Sequence, residues 1–363
     1  MTKKNTRIAI VGCQGLPARY GGYETLVDYL AEYKPENADV TVYCSSRIYK
    51  GEKPPTYKGV TLEYIDLPSN GLSSCFYDMY TIVKSVRKYD KILILGSSGG
   101  LIMPFLVRYR KKFVLNIGGI EWMRSKYNFL LQKFVRVLMK ISVSSSGSLI
   151  ADNIGIKDYI QEEYKRSDSV VIEYGGDQAQ KIEISQVGIQ KYPFLENKYA
   201  IAIARIQSDN NVELLLEAFK DEKLPLVYIG NWDVSDYSKK IKNKYSGYSN
   251  LILLDAIFDL EELNMLRGNC FLYLHAHSAG GTNPSLVEAM HLDVPVYCYG
   301  NIFNKYVTDN KTMYFTTVDE LKVLIENLNE KLLTSIAQSL KSIATEKYTW
   351  KVIARKYYDF LEK

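Results

Sequence analysis

Short, almost wholly apolar segments alternate with amphipathic helical segments along nearly the whole chain, and this alternation restricts the possible folds more than any other feature. The first apolar segment, RIAIVG, ends in glycine and is followed, after a loop, by the helical pattern TLVDYLAEY. Strands of a parallel sheet that is covered on both faces are apolar throughout, because neither face meets water. The sequence therefore predicts an α/β protein built on parallel sheets.

The alternation occurs twice, with a stretch of no clear period between the two sets. The first set ends with VVIEYGG at 170–176, and the second begins with KYAIAIAR and ends with PVYCYG. A chain of 363 residues is long enough for two domains. We predict two Rossmann-like domains, one over 1–178 and one over 190–345. The last segment, 346–363, is predicted to be an amphipathic helix. Its apolar face consists of Trp350, Ile353, Ala354, Tyr357, Tyr358 and Leu361.

Charge and cysteine content exclude several classes of protein. The formal charge of +5 is too small, and too little concentrated in a tail, for a nucleic-acid-binding protein. The five cysteines show no CxxC spacing and are expected to be reduced thiols of a cytoplasmic protein. The polar N-terminus gives no sign of a signal peptide, and no apolar run reaches 18 residues, so no membrane span is expected.

The segment HAHSAGGTNPSLVEAM, at 275–290, carries the strongest functional signal. It follows an apolar strand and enters a helix in which Pro284 suits the first position and Asn283 the N-cap. Gly280 and Gly281 allow the backbone to approach an anion, and the free N–H groups at a helix N-terminus attract one. The segment therefore predicts a phosphate-binding loop, although it matches neither a P-loop nor the GxGxxG pattern.

Further polar residues in this segment allow two interpretations each. Glu288 lies one to two turns into the helix, where it could reach a ribose hydroxyl or could be an ordinary surface carboxylate. All three histidines of the chain, His275, His277 and His291, also lie here or just beyond. His277 could contact a substrate beside the phosphate loop, or it could be structural.

The string SLVEAM followed by DVPV resembles the C-terminal motif of glycosyltransferase family 4, whose members are retaining enzymes of the GT-B fold. The resemblance implies two Rossmann-like, doubly wound domains facing a cleft, with a C-terminal helix returning toward the N-terminal domain. In that family a Glu-x7-Glu pair frames the donor; Glu288 matches the second glutamate, whereas Gly280 replaces the first. This replacement and the string HSAGGTNPSLVEA resemble bacterial β-1,4-rhamnosyltransferases of capsule and cell-wall polysaccharide assembly.

Four other segments extend the resemblance along the chain. They are GCQGLPARYGGYETLV at 12–27, NIGGIEWMRSKY at 116–127, ADNIGIKDYI at 151–160 and IARIQSDNNVELLLEAF at 203–219. The implied donor-binding residues are Gly15, Arg205, Asn210, His277, Gly280, Gly281, Thr282, Asn283, Pro284, Ser285 and Glu288. The implied acceptor-binding residues are Arg19, Tyr20, Gly21, Gly22, Glu24, Trp122 and Arg124.

One position departs from the subgroup. The subgroup has Asp-Gly-x-Glu-Trp, whereas this chain has Gly118 in place of the aspartate. That aspartate is expected beside the transferred sugar or the attacking hydroxyl, so its loss leaves the identity of the sugar open.

The implied reaction is transfer of a sugar from a nucleotide diphosphate with retention of configuration. Arg205 and the N–H groups of the phosphate loop would stabilise the leaving diphosphate. The chain contains no Asp-x-Asp and no His/Cys metal spacing, so no metal and no other cofactor is expected. Glu121 and Asp152 are candidates for a base or a positioning group, although Glu121 could instead pair with Arg124, and Asp152 could cap a helix.

The expected substrates are dTDP-rhamnose and a lipid-diphosphate-linked sugar or another saccharide. Two alternatives remain open: a UDP-hexose donor, and a nucleotide-sugar-binding protein without catalysis. The basic run RYRKK at 108–112 and the segment KYNFLLQKFVRVLMK at 126–140 combine apolar bulk with positive charge, as helices at a membrane surface do. We therefore expect a peripheral protein at the inner face of the cytoplasmic membrane, unless 126–140 is an ordinary buried helix.

Overall fold

The computed structural model describes residues 5–19, 21–123 and 127–363. These residues form two compact units. The first unit contains the described residues up to Met123, Tyr127–Tyr174 and the C-terminal stretch from Trp350, and the second contains Gly175–Thr349. From the sequence, the first domain was predicted to end at 178, the second to begin at 190, and the C-terminal helix to begin at 346.

The first unit is built on a sheet of eight strands within the described residues. The strands are β1 Thr6–Val11, β2 Ala38–Ser45, β3 Thr56–Tyr57, β4 Val60–Ile65, β5 Lys91–Leu95, β6 Phe113–Ile117, β7 Ser148–Ala151 and β8 Ser169–Val171. Its first four α-helices are α1 Gly22–Glu32, α2 Ser74–Ser85, α3 Phe129–Ser145 and α4 Ile154–Tyr164. Three 3₁₀-helical stretches span Gly71–Ser73, Gly100–Lys112 (interrupted at Leu106) and Glu121–Met123.

The strand order of this sheet, β3-β4-β2-β1-β5-β6-β7-β8, fixes where loops meet. All neighbouring strands are parallel except the short pair β3 and β4. From β1 the chain proceeds first toward one edge, through β2, and later toward the other, through β5. The order therefore reverses between β1 and β5, and ligands of doubly wound sheets bind at such a point, beyond the carboxyl ends of the strands.

The second unit repeats this plan with a six-stranded, wholly parallel sheet. Its strands are β9 Ala200–Ile203, β10 Leu226–Ile229, β11 Leu251–Leu254, β12 Leu272–His275, β13 Val296–Tyr299 and β14 Met313–Phe315. Its helices are α5 Gln186–Lys191, α6 Val212–Phe219, α7 Asp236–Tyr245, α8 Leu260–Gly268, α9 Pro284–His291, α10 Ile302–Val307, α11 Val318–Glu326 and α12 Glu330–Lys347, with 3₁₀ stretches at Pro193–Glu196 and Ser208–Asn210. The order β11-β10-β9-β12-β13-β14 reverses between β9 and β12.

The stretch without clear period between the two sets is not entirely irregular. It contains α5, where the hydroxyl of Ser185 accepts a hydrogen bond from the Gly188 N–H, 3.0 Å away. Six residues make fewer than two helical turns, so no apolar period could be read from them.

The C-terminal helix, α13 Trp350–Leu361, belongs to the first unit. The indole of Trp350 stacks on Tyr29 with ring centres 4.4 Å apart, and the hydroxyl of Tyr358 donates to the Leu30 carbonyl at 2.6 Å. The buried side chains of this helix are those of the apolar face read from the sequence. The predicted return of the C-terminal helix to the N-terminal domain is confirmed.

Parallel, doubly wound sheets in both units confirm the predicted fold class. No helix among the described residues is both long and apolar enough to cross a bilayer.

Candidate functional site

The loops after β9 and β12 lie side by side at the point where the order of the second sheet reverses. Leu272 of β12 pairs with Ala200 of β9 in parallel register, so the two strands end at the same edge of the sheet. The loop 204–211 follows β9, and the loop 276–283 follows β12 and leads into α9. Both segments that the sequence associates with phosphate binding therefore meet at one place.

Hydrogen bonds join these two loops directly. The backbone N–H and the hydroxyl of Ser278 both donate to the Asp209 carbonyl, at 3.0 and 2.8 Å. In the opposite direction, the amide of Asn211 donates to the Ala276 carbonyl at 2.8 Å. The loops consequently hold each other in one conformation.

The loop after β12 is also tied to the chain that follows β13. The amide groups of Asn301 and Asn304 both donate to the His277 carbonyl, at 2.8 and 3.1 Å. Within the loop after β9, the amide of Asn210 donates to the Arg205 carbonyl at 2.8 Å. Asn210, one of the predicted donor-binding residues, thus shapes its own loop.

The N-terminus of α9 has the geometry that the sequence predicted. Asn283 is the N-cap and accepts from the Ser285 N–H at 3.3 Å, and Pro284 occupies the first helical position. Gly280 has φ +134°, and a Cβ there would meet only open space. Gly281 and Thr282 are buried beside it. The backbone before the helix is therefore accessible at Gly280, whereas the two residues that follow are packed into the protein.

Arg205 follows β9 at the same edge of the sheet. Its side chain is exposed, and within the described part of the chain its guanidinium makes no hydrogen bond or ion pair. The planar guanidinium of an arginine that is not engaged by the protein is available for an anionic ligand such as a phosphate group.

Glu288, on α9, is fixed by two neighbours. Its carboxylate accepts a hydrogen bond from the Gln178 amide at 2.6 Å and forms an ion pair with the Arg267 guanidinium. Arg267 is only 2% exposed and is itself held by the Asn264 side chain at 2.9 Å. Glu288 is therefore not an ordinary surface carboxylate, because an ion pair with a buried cation fixes its orientation.

Two histidine rings stack at the start of the loop after β12. The rings of His275 and His277 are 4.5 Å apart and inclined by 13°. His275 is buried, and within the described residues neither of its ring nitrogens has a hydrogen-bond partner, so burial lowers its pKa well below the ordinary value. Only His277 of the pair reaches the partly exposed edge. His291 lies at the far end of α9, where its Nε2 contacts the Tyr348 carbonyl at 3.0 Å.

In the first unit, one predicted donor residue, Gly15, and two predicted acceptor residues, Gly21 and Glu24, shape the loop after β1. A Cβ at Gly15 would lie 2.7 Å from the Cys44 sulfur, and one at Gly21 would overlap the Glu24 carboxylate, so both positions require glycine. Glu24 is buried and accepts from the Gln14 N–H at 2.9 Å.

Two further predicted residues of this loop are more open. Arg19 is exposed and donates to the Ile48 carbonyl at 3.0 Å, and a Cβ at Gly22 would meet nothing within 4 Å. Tyr20 lies outside the described residues.

Gly118, the departure from the subgroup, packs against Tyr23. A Cβ at Gly118 would be 2.9 Å from the Tyr23 hydroxyl oxygen, which accepts from the Gly118 N–H at 3.2 Å. The tyrosine ring therefore occupies the space that a side chain at residue 118 would need.

Three candidate residues follow β6 and β7 at the carboxyl edge of the first sheet. Glu121 and Trp122 lie in the short 3₁₀ helix after β6, and the indole N–H of Trp122 donates to the Tyr159 hydroxyl at 3.0 Å. Asp152 is buried after β7. The N-cap of α4 is Asn153, which accepts from the Gly155 N–H at 2.8 Å, so the alternative that Asp152 caps this helix is wrong. Arg124 lies outside the described residues, and with it the alternative pairing with Glu121.

Sequence reasoning missed one buried carboxyl group at this edge. Asp78, on α2, accepts a hydrogen bond from the Ser98 hydroxyl in the loop after β5. Burial raises the pKa of Asp78 to about 7. The residue stands inside an ordinary helical pattern, and only the fold shows that it faces the loop after β5.

Comparison with known proteins adds one family profile and a set of solved structures. The profile described as "Domain of unknown function (DUF1972)" matches residues 5–177. No curated protein sequence matches the chain.

The structure is similar over nearly its whole length to several solved proteins. A sucrose-phosphate synthase from Thermosynechococcus elongatus has a TM-score of 0.80 at 12% identity, covering 99% of this chain and 98% of its own. HepE from Anabaena, solved with UDP-glucose, has 0.73 at 14%, covering 99% and 100%. A trehalose-6-phosphate synthase, OtsA, has 0.72 at 12%, covering 99% of both chains.

At such low identities the likeness establishes the fold. The chain has the GT-B fold. Each of its two units is a Rossmann-like domain, as the sequence predicted.

Proposed function

We propose that this protein is a glycosyltransferase that moves a sugar from a nucleotide diphosphate to a saccharide acceptor. One observation carries the proposal. At the reversal point of the second sheet, the loops after β9 and β12 are hydrogen-bonded to each other and present Arg205 and the N-terminus of α9 at one edge. Similarity to HepE, which was solved with UDP-glucose, supports the same ligand class.

The second unit offers what a diphosphate leaving group requires. As the bond from the anomeric carbon to the phosphate oxygen breaks, negative charge grows on the diphosphate. The guanidinium of Arg205 and the N–H groups at the start of α9 would stabilise that charge without a metal ion. Because the two loops are already fixed, little reorganisation opposes the step.

Glu288 would hold the ribose of the donor. A carboxylate has about four acceptor positions, and Gln178 and Arg267 use only part of this capacity. The remaining positions could accept the ribose hydroxyls. The ion pair with Arg267 fixes the orientation of the carboxylate for such hydrogen bonds.

On the acceptor side we propose retention of configuration by a front-face route. The acceptor oxygen bonds to the anomeric carbon on the face from which the diphosphate leaves, and its proton passes to a phosphate oxygen of that leaving group. Glu121 and Asp152, at the carboxyl edge of the first sheet, would position the acceptor hydroxyl. Arg19, Trp122 and the loop after β1 would bind the acceptor sugar.

For the substrates we propose dTDP-rhamnose and a lipid-diphosphate-linked sugar in bacterial surface polysaccharide synthesis. The support is the string HSAGGTNPSLVEA, together with Gly280 in place of the first family glutamate. A UDP-hexose donor is the second candidate, favoured by the similarity to HepE, which was solved with UDP-glucose, and by Gly118, where the subgroup has aspartate. A binding protein without catalysis would release no nucleotide diphosphate in the presence of donor and acceptor, and this outcome identifies that alternative.

We further propose that the protein works at the inner face of the cytoplasmic membrane. Along α3 the side chains of Phe129, Leu130 and Val137 are exposed, so this helix is not an ordinary buried one. Each lysine or arginine near an anionic leaflet contributes about 1 kcal/mol to the free energy of membrane binding.

In liposome co-sedimentation, we expect binding to anionic vesicles that weakens with salt, and weakens again when Lys133, Arg136 and Lys140 become glutamate. Absence of binding at low salt would end this proposal.

Replacement of Arg205 by alanine tests the phosphate site. We expect turnover to fall by ~10²–10³, because one preorganised charge-stabilising group is lost, while thermal unfolding stays unchanged because the side chain is exposed. Arg355→Ala, at another exposed arginine far along the chain on α13, serves as the matched control and is expected to keep full turnover. Near-normal turnover of Arg205→Ala would remove this residue from the phosphate site.

Treatment with EDTA tests the metal-free mechanism. We expect the rate of transfer to be unchanged, because Arg205 and the α9 N-terminus would neutralise the diphosphate and the sequence has no Asp-x-Asp. Loss of activity in EDTA that Mg²⁺ or Mn²⁺ restores would contradict it.

A further inference from the structure

An apolar groove lies between α2, the 3₁₀ stretch Gly100–Lys112 and α3 of the first unit. Its volume is about 550 Å³, within the range of small-molecule sites. All but one of the lining residues are apolar or sulfur-containing: Cys75, Phe76, Met79, Leu101, Leu130, Leu131 and Phe134, with Asn128 at the start of α3. Three elements far apart in sequence therefore combine to form one apolar surface.

The groove is open to solvent. Phe76 of α2 is 67% exposed and Leu130 of α3 is 76% exposed. Contiguous apolar surface of this kind is rarely left uncovered in a monomeric protein and marks a binding site. Hydrocarbon surface leaving water is the interaction that such walls favour.

The charge beside the groove indicates what kind of head group the bound hydrocarbon carries. Helix α3, which forms one wall of the groove, contains three basic residues, Lys133, Arg136 and Lys140, and no acidic residue. On α3, the ammonium group of Lys133 lies 4.2 Å from the ring centre of Phe129, within one turn of Leu130 and Phe134. An apolar groove with basic residues along one of its walls matches an anionic amphiphile.

The groove also adjoins the carboxyl edge of the first sheet. The loop after β5 passes between α2 and α3: a Cβ at Gly99 would touch Ile82 of α2, and one at Gly100 would touch Ser142 of α3. Leu101, the next residue, lines the groove. A chain lying in the groove would therefore end near the edge where the acceptor is proposed to bind.

We propose that this groove binds the hydrocarbon chain of the lipid-linked acceptor next to its phosphate groups. The inference rests on the proposed function and adds the lipid portion of the acceptor as a recognised part of the substrate. The acceptor is thus held by its chain in the groove, by its phosphates at the basic residues of α3, and by its sugar at the edge of the sheet.

A chain-length series of single-chain alkyl phosphates tests the groove. Hexyl, octyl and decyl phosphate are titrated calorimetrically into the full chain below their critical micelle concentrations. Burial of one methylene group contributes about 0.8 kcal/mol, so we expect affinity to rise about fourfold per added carbon. Inorganic phosphate is the headgroup control and is expected to bind far more weakly than decyl phosphate.

A pair of matched variants locates the binding. Leu130→Asp, in the wall of the groove, is expected to weaken decyl phosphate at least tenfold and to flatten the dependence on chain length. Phe105→Asp changes a side chain that is 82% exposed on the same unit but does not line the groove, and it is expected to leave the series unchanged. Equal affinities for Leu130→Asp and the unmodified protein would overturn the proposal.

Cys75 provides a second readout that is independent of affinity. It lines the groove and is partly exposed, whereas the other four cysteines are buried. Saturating decyl phosphate is therefore expected to slow labelling of Cys75 by N-ethylmaleimide several-fold, and unchanged labelling would contradict the proposal.

Three outcomes separate this proposal from the membrane proposal and from the proposed function. Sedimentation with anionic vesicles without any binding of monomeric alkyl phosphate would mean that these side chains insert into a leaflet, and the groove proposal would be wrong. If alkyl phosphates fail to bind while nucleotide diphosphate is still released during transfer to a soluble saccharide, the groove proposal alone fails. If alkyl phosphates bind but no nucleotide sugar does, the proposed function fails instead.

Discussion

The hydrogen bonds between Ser278 and the Asp209 carbonyl hold together the two loops on which the proposed phosphate site depends. Parallel strands bring the loops after β9 and β12 to one edge, but adjacency alone would leave both loops mobile. Two donors of one serine on a single carbonyl, and the reverse contact from Asn211 to Ala276, join them. Asn301 and Asn304 restrain the same loop from the β13 side. Such preorganisation gives fixed dipoles their value in catalysis.

The polar residues that contact Glu288 are explained by the burial of a charge. Arg267 is buried, and removal of its partner would leave an uncompensated charge, which typically costs about 3–5 kcal/mol. Glu288 is therefore part of a structural ion pair as well as a candidate ligand for ribose. A substitution of Glu288 must accordingly be judged with a measurement of stability beside the measurement of activity.

Much of the fold could be read from the sequence, because its signals are local. Buried parallel strands are continuous apolar runs, and the start of α9 follows from Asn283 and Pro284. The face of α13 follows from a helical period that the structure reproduces. These features need no knowledge of distant residues.

What the sequence missed depends on contacts between distant residues. Gln178 binds Glu288 across 110 positions, from a stretch that carries no periodic signal. The sequence does not distinguish Asp78 from a surface aspartate, because its raised pKa comes from burial by neighbours far along the chain. The groove is a further case, because α2, the 3₁₀ stretch and α3 each look like ordinary amphipathic segments on their own. The acceptor residues Tyr20 and Arg124 lie outside the described residues, and their roles stay predictions.

The central claim is that the carboxyl edge of the second sheet binds the diphosphate of a nucleotide sugar. Calorimetric titration with a panel of dTDP- and UDP-linked sugars, repeated in the presence of inorganic diphosphate, tests it most directly. The account predicts that at least one nucleotide sugar binds and that inorganic diphosphate competes with it; a ligand at 100 times its dissociation constant would also stabilise the fold by about 2.7 kcal/mol. Failure of every member of the panel to bind, or binding that inorganic diphosphate leaves unchanged, would contradict it.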